Sequence, residues 1–380
     1  MKETNQYSIG DLRQYISPGN FGMILDNSNA RYNDAIWRRF AMWGTPSDDR
    51  EWVQGQKETP IMVRASILGT HSNKPQRNGG GWKVYTGSVP KIGHGYSIDE
   101  DDLFTIRKNK NMQGIPTSIL MTDLVTDRSA AMIGGVHAEL NYLTLQALST
   151  GAIHDVSVDG TSVDYKFPIE DSHYLKLAKA KEWFKKASGG KVVDNETADP
   201  ISDILNAQNV LTNELNLSVD HWKISKELFR RLIQHKNVVA KCVARANYFD
   251  KDNVHLTDKE VATFLHDMGV WMFDVVDYKS RHEVDGVSTA DAPAFDEHNL
   301  VAFSSQIIPF EMKCTNSVMI DRQKLGQIGS NHNYYLVEDR IAVLSTTEER
   351  PFKNIVDCEL YAAPVFNNIR EIGFLTAWSE

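Results

Sequence analysis

The chain has 380 residues, 41% hydrophobic and 24% charged, a globular composition long enough for two domains. Its net charge is -9 and its basic residues form no dense run, Arg38-Arg39 and Arg230-Arg231 being only pairs, which argues against a dedicated nucleic-acid binder, since phosphate contacts need clustered Lys and Arg. Three scattered cysteines, Cys242, Cys314 and Cys358, exclude a disulfide scaffold and a Cys-based zinc site; no stretch approaches the ~20 apolar residues of a membrane helix, and Met1–Tyr7 lacks an apolar signal core, so a soluble product of a cytoplasm is expected.

Residues 1 to about 56 are polar, punctuated by Ser17-Pro18-Gly19-Asn20 and Gly44-Thr45-Pro46-Ser47. They predict an extended arm with one short helix near Asn33–Trp43 and no core of its own, a segment that orders on a partner. From Pro60 to Ile106 the pattern turns to β. Ile61–Leu68 and Trp82–Gly87 read as strands joined by a tip, Gly69 to Gly81, that ends in three glycines. A two-stranded excursion of this length buries no face by itself, so it is expected to lie on another molecule.

Pro116 to Gly151 predicts a long helix, with Leu120, Leu124, Ala131, Val136, Leu140, Leu143 and Ala147 near three- and four-residue spacing. Thr117 or Ser118 caps it and Thr150-Gly151 stops it. Gly134 and Gly135 fall in its middle, where each costs about 1 kcal/mol against Ala. Close packing or a bend point would explain them. Ile153–Phe167 reads as a hairpin around Asp159-Gly160, and Tyr174–Ala187 as a helix. Asp199-Pro200 opens a second domain with a helix to about Leu215. Ser225 caps a helix over Lys226–His235, and Thr257 to Glu260 form a capping box for one to about His266. Two strands, Met268–Tyr278 and Asn299–Phe303, then flank a turn at Val284–Val287. Helices mixed with antiparallel strands predict an α+β fold.

No chemistry emerges from the motifs. His137-Ala138-Glu139 has the His-x-Glu of zinc deaminases without their Pro-Cys-x-x-Cys, and reads as a surface pair on a helix. Asp250 to Val261 lacks the glycine and glutamate of a calcium loop. Asp99 to Asp102 reads as a solvated acidic turn. Gly79 to Gly81, near Lys74 and Arg77, lacks the Gly-Lys-Ser/Thr and helix of a phosphate loop. No Gly-x-Ser-x-Gly elbow or dinucleotide fingerprint is present. Asp274 and Asp277, three apart on a strand, face opposite sides, which weakens them as a glycosidase pair. Catalytic, cofactor and metal sites are therefore all expected to be absent.

The order of elements in the last third (Met268–Tyr278, the Asp285-Gly286 turn, Ala292-Pro293-Ala294-Phe295, Asn299–Phe303, then Arg350-Pro351-Phe352, Ala362 to Asn368 and Leu375 to Trp378) resembles tailed-phage major capsid proteins of the Hong Kong 97-type fold, in their lambda-like, major capsid protein E branch. Asp199 to Leu205 and the Ala363-Pro364 ending add to that likeness, which covers about residues 58–380. The resemblance implies an N-terminal arm (1–57), an E-loop lying over a neighbouring subunit (58–115), a peripheral domain (116–196 with 335–380) with a spine helix at 118–150, and an axial domain (197–334). It implies no enzyme and no cofactor, but a virion shell protein that self-assembles into hexamers and pentamers around double-stranded DNA. Its acidity suits a wall that does not grip that DNA. The implied partners are copies of itself, a portal, a separate scaffold protein and a cement protein, with packaged DNA contacted non-specifically if at all and no membrane. Trp37, Phe40 and Trp43 in the arm, and Trp82, Tyr85 and Ile92 on the excursion, are the candidate inter-subunit contacts, since aromatics are enriched in interface cores. Local packing on their own domain is the alternative. Gly134 and Gly135 are the hinge candidates. An encapsulin-like cellular shell and a soluble carbohydrate-active enzyme are the rival readings.

Overall fold

The computed structural model describes all residues except 1–17, 58–64, 69, 71–72, 77–81, 114–116, 157–159, 161, 188, 246–256, 285–286, 291–292, 319–331, 350 and 380. Helix α1 (Pro18–Ala30) comes first. Phe21, Leu25, Ser28 and Asn29 fall at helical spacing and all four are buried, so a core face hides in a polar segment. A 3-10 turn, Ile36–Arg39, leads into strand β1 (Ala41–Trp43). These elements replace the expected extended arm and its helix near Asn33–Trp43. The polar residues were misleading because several of them are buried and hydrogen-bonded rather than solvated.

Strands β2 (Glu51–Lys57) and β3 (Trp82–Ser88) form a two-stranded sheet. The expected partner of Trp82–Gly87, Ile61–Leu68, is thus displaced by β2: residues 61–64 and the tip 77–81 lie outside the described residues, and 65–68 carry no regular structure. Strand β4 (Lys91–Asp99) runs into helix α2 (Glu100–Gln113). The acidic cluster is the cap of that helix. The Asp99 N–H donates to the Asp102 carboxylate at 3.2 Å, and the Asp102 N–H donates to Asp99 at 3.1 Å. Carboxylates in the first turn also offset the helix dipole.

Helix α3 (Thr117–Thr150) has 34 residues, as the periodicity predicts, and runs unbroken through Gly134 and Gly135. It stops at Gly151, whose φ of +69° suits glycine. The predicted hairpin follows as β5 (Ala152–Val156) and β6 (Ser162–Lys166), with Gly160 at φ +82°. Tyr174–Ala187 is not a helix. It forms β7 (Tyr174–Lys176), a 3-10 turn (Lys179–Lys181) and β8 (Phe184–Lys186), which pairs with β9 (Val192–Asp194). The cause is non-local: Tyr174 pairs in parallel with Phe374 and stacks on its ring at 4.6 Å.

The predicted caps hold. Asp199 accepts from the Ser202 N–H to start α4 (Pro200–Asn209), which ends in a π turn, Val210–Glu214. Strand β10 (His221–Ser225) leads into α5 (Lys226–Gln234), capped by Ser225, and then α6 (Lys236–Arg245). The Thr257–Glu260 capping box starts α7 (Asp258–Asp267). Nine strands follow: β11 (Met272–Val276), β12 (Arg281–Val284), β13 (Val287–Ala290), β14 (Asn299–Phe303), β15 (Phe310–Thr315), β16 (His332–Val337), β17 (Ile341–Glu349), β18 (Phe352–Phe366) and β19 (Ile372–Thr376).

The chain divides into two compact units. The first comprises residues 1–52, 88–144 and 310–365. Its sheet runs β1-β15-β18-β17-β16, with β4 also paired to β18. Alternation along β4 buries Ile92 and Ile98. The middle turns of α3 pack on the sheet through Met132, Ile133, Val136 and Leu140, and the Tyr96 hydroxyl meets Ser129 at 3.0 Å.

The second unit comprises 53–87, 145–309 and 366–380. Its sheet runs β11-β10-β14-β19-β7. One apolar cluster joins Trp183, Ile201, Trp222, Leu232, Leu265, Leu300, Leu375 and Trp378. The boundary expected near Asp199 therefore falls inside a shared core: Trp183 precedes it and also donates to Asp203, beyond it, at 3.0 Å.

Candidate interaction surfaces

Trp37 sits at the centre of a buried polar chain in the first unit. Its indole N–H donates to His137 Nδ1 at 3.1 Å, and its backbone N–H donates to Asn141 Oδ1 at 2.8 Å. With Nδ1 accepting, His137 Nε2 carries the proton and donates to Asn29 Oδ1 at 2.8 Å. Asn29 donates onward to Glu338, which also accepts from Arg38 at 2.6 Å and Trp43 at 3.0 Å. Glu338 and Asp339 hold φ of 52° and 57°, the left-handed backbone of the β16–β17 turn. Burial alone would raise the Glu338 carboxyl, but the bonds from Asn29, Arg38 and Trp43 and the Arg38 charge hold it below the usual range. Burial and the Arg38 charge push His137 down to about 4. It is therefore a neutral core histidine rather than half of a surface pair.

The six candidate contact residues separate. Trp37 and Phe40 are only 1% and 5% exposed, and Ile92 is 7% exposed, so their surface is already spent on their own unit. Trp43 is half-buried, edge-on to Trp37 at 4.9 Å. These four take the local packing that was the alternative. Trp82 and Tyr85 lie on β3. Tyr85 is half-buried, and burial, then the neighbouring Tyr165, raises it to about 12. Lys83 adds a 3.5 Å contact to Glu170. What the excursion leaves exposed is aliphatic: Val53 and Val84 on β2 and β3, and Ile67 and Leu68 beyond. Composition alone pointed to aromatics; the strand alternation of Val53 and Val84 was the available signal.

Both mid-helix glycines are contact positions. A Cβ on Gly134 would lie 2.3 Å from the Tyr32 hydroxyl, which donates to the Ala130 carbonyl. A Cβ on Gly135 would lie 2.9 Å from the His94 ring. Gly134→Ala is expected to destabilise the first unit by roughly 1–3 kcal/mol through overpacking, despite Ala's better helix propensity. Urea unfolding checks this; a stabilised variant would show that Tyr32 yields freely.

All three cysteines are buried, and burial raises each thiol, Cys358 to about 12. Asp274 and Asp277 have separate partners, Lys223 and Lys226, so neither is available as half of a hydrolytic pair. Among the described residues no group of three or more His, Cys, Asp or Glu could hold a metal, and no helix is long and apolar enough to cross a membrane. The Asp250 loop lies outside the described residues.

The family model of phage major capsid protein E matches residues 65–313, nearly two thirds of the chain. The chain belongs to the phage major capsid protein E family. It is a structural protein of a tailed-phage capsid, a virion component that assembles with its own copies into a shell. The mixed helix and sheet architecture agrees with the α+β class expected from the sequence. Among solved structures, a prophage capsid protein from E. coli CFT073 is 16% identical, with 82% of each chain covered and a TM-score of 0.49. The cyanophage A-1(L) capsid is 11% identical over 92% of this chain and 93% of that one, with a TM-score of 0.46. The capsid of Myoviridae phage XM1 is 9% identical over 90% and 91%, with a TM-score of 0.42. No curated protein matches the sequence.

Proposed function

We propose that this capsid protein works without catalysis, forming hexamers and pentamers of an icosahedral shell around double-stranded DNA. The family match carries this reading. In it, residues 58–115 reach a neighbouring subunit as an E-loop, and the peripheral and axial regions divide along the two compact units rather than near Asp199. Trp82 remains the contact candidate on the excursion, joined by the exposed Val53, Val84 and Ile67. Portal, scaffold and cement proteins are separate partners, and assembly takes place in the host cytoplasm. Many moderate contacts, each made intramolecular by the previous one, then hold the shell through effective concentration.

Negative-stain microscopy and sedimentation of the protein expressed alone test this. Closed particles, tubes or curved sheets are expected from the full chain. Deleting Gly69–Gly81 is expected to leave folded subunits that form none of these; normal shells from the deletion would remove the E-loop assignment. A discrete monomer with hydrolytic activity would instead favour the enzyme reading.

The bending role of Gly134 and Gly135 during shell expansion is a further part of this proposal. Gly135→Ala combined with His94→Ala removes the nearest clash and stiffens the helix. Precursor shells that then expand as before would exclude a hinge at this position.

A further inference from the structure

The net charge of the chain conceals a local reversal. Between Lys176 and Lys191 lie six lysines (176, 179, 181, 185, 186 and 191) and one carboxylate, Glu182. That is a net +5 within a chain whose total is -9. All six lysines are exposed, whereas Glu182 is 9% exposed and accepts from Ser379 at 2.6 Å. Other lysines of the same unit, Lys83, Lys226, Lys236 and Lys241, each sit within ion-pair distance of a carboxylate. Among the described residues no such partner faces Lys176, Lys179, Lys181, Lys185 or Lys191. Lys181 acts on the Asp203 carboxylate; with the other four, on short, consecutive elements, it raises a positive potential that costs self-repulsion unless an anion offsets it.

The fold explains why the lysines stay exposed. Tyr174 stacks on Phe374, Trp183 is fully buried, and Phe184 packs against His235 and Trp378. The apolar residues of the segment thus turn inward and leave the ammonium groups outside. At the β8–β9 tip, Gly189 and Gly190 take φ of +97° and +80°, and a Cβ at either would meet nothing within 4 Å. No neighbouring side chain crowds the backbone of these two tip residues. Protein interface cores are depleted in Lys and rich in aromatics. Here the aromatics are withdrawn, which disfavours an acidic protein as the partner. They are also withdrawn from base stacking, which disfavours single strands.

We infer that Lys176 to Lys191 is a sequence-independent docking surface for the phosphate backbone of duplex DNA, and that it faces the enclosed genome. The second clause rests on the capsid reading; the first does not. The rest of the wall, acidic overall, repels the same DNA, so contact is confined to this segment rather than spread over the inner face.

The test is fluorescence anisotropy of a labelled 24-base-pair duplex with the soluble full-length subunit across a salt series, for the wild type and for Lys179→Gln/Lys181→Gln/Lys185→Gln/Lys191→Gln. Wild type is expected to bind with a dissociation constant of about 10⁻⁴ to 10⁻⁶ M near physiological salt, steeply weakened by salt. Each phosphate contact contributes about 0.9 to the log–log slope, so the variant is expected to lose roughly 3 to 4 from it and at least ~10-fold in affinity. Circular dichroism checks its fold, and the paired variants at 179/181 and 185/191 serve if the quadruple fails to fold. No DNA binding by wild type, or an unchanged slope in the variants, overturns the inference. So does a variant that binds DNA normally but loses shell assembly, which would assign the lysines to a subunit contact. Failure of wild type to form shells counts against the capsid reading alone, because the DNA titration uses free subunits.

Discussion

Trp37→Ala is expected to destabilise the first unit by about 3–5 kcal/mol, the cost of deleting a fully buried Trp side chain. Part of the loss is the cavity. The rest is polar: His137 Nδ1 loses the indole donor, and a buried acceptor left unmade costs about 1–3 kcal/mol. Urea unfolding of the unassembled subunit reads the effect directly. The same variant decides between two roles for the N-terminal region. An arm residue that bonded only to a neighbour would leave the isolated subunit as stable as wild type and fail only in assembly. The burial of Trp37 between His137, Asn141 and Trp43 demands the opposite order, with the monomer weakened before any shell contact is made.

Acid is expected to weaken the subunit through His137 between about pH 7 and pH 4. The unfolded chain takes up a proton near the ordinary imidazole value of 6.5, while the folded histidine stays neutral down to about 4. The unfolded state thus binds more protons throughout that window, and stability falls as pH falls. The shift corresponds to about 3 kcal/mol, complete near pH 4 and flat below it. Glu338 adds a loss in the same direction at lower pH. Its carboxyl is depressed in the fold, so the stability it contributes disappears as pH drops through its folded value. His137→Gln isolates the first effect, because Gln can accept from Trp37 and donate to Asn29 but does not titrate. The variant's stability should fall about 3 kcal/mol less than wild type over this window. Parallel pH profiles for the two proteins would show that His137 is protonated, or free to move, in the folded subunit.

Several elements were legible because their signals are local. The α3 helix, the Asp199, Ser225 and Thr257 caps, the β5–β6 hairpin and the β14 strand each depend on side chains within a few residues of one another. The Tyr174–Ala187 segment was misread because its partner, Phe374, is 200 residues away. Its periodicity was compatible with helix, and only an available sheet edge turned it into strand. The arm was misread for a related reason. Phe21, Leu25 and Trp37 are too sparse to announce a core, and the polar residues that bury with them are satisfied by Glu338 and His137 from distant strands and helices. The lysine surface was missed because the segment's alternation with Ala, Leu and aromatic residues breaks it into singles and one pair.

By itself, the sequence determined the α+β class, the order of elements that marks the capsid family, and the lack of catalytic motifs. These follow from periodicity, caps and turn chemistry, which act over one or two turns of chain. Tertiary structure alone decided which aromatics are core and which apolar residues stay exposed. It also decided that Gly134 and Gly135 are packing positions, that His137 is neutral, and that the six lysines of 176–191 all stay exposed. Each of these depends on what distant residues place beside a side chain, and burial, desolvation and charge compensation are set by those neighbours.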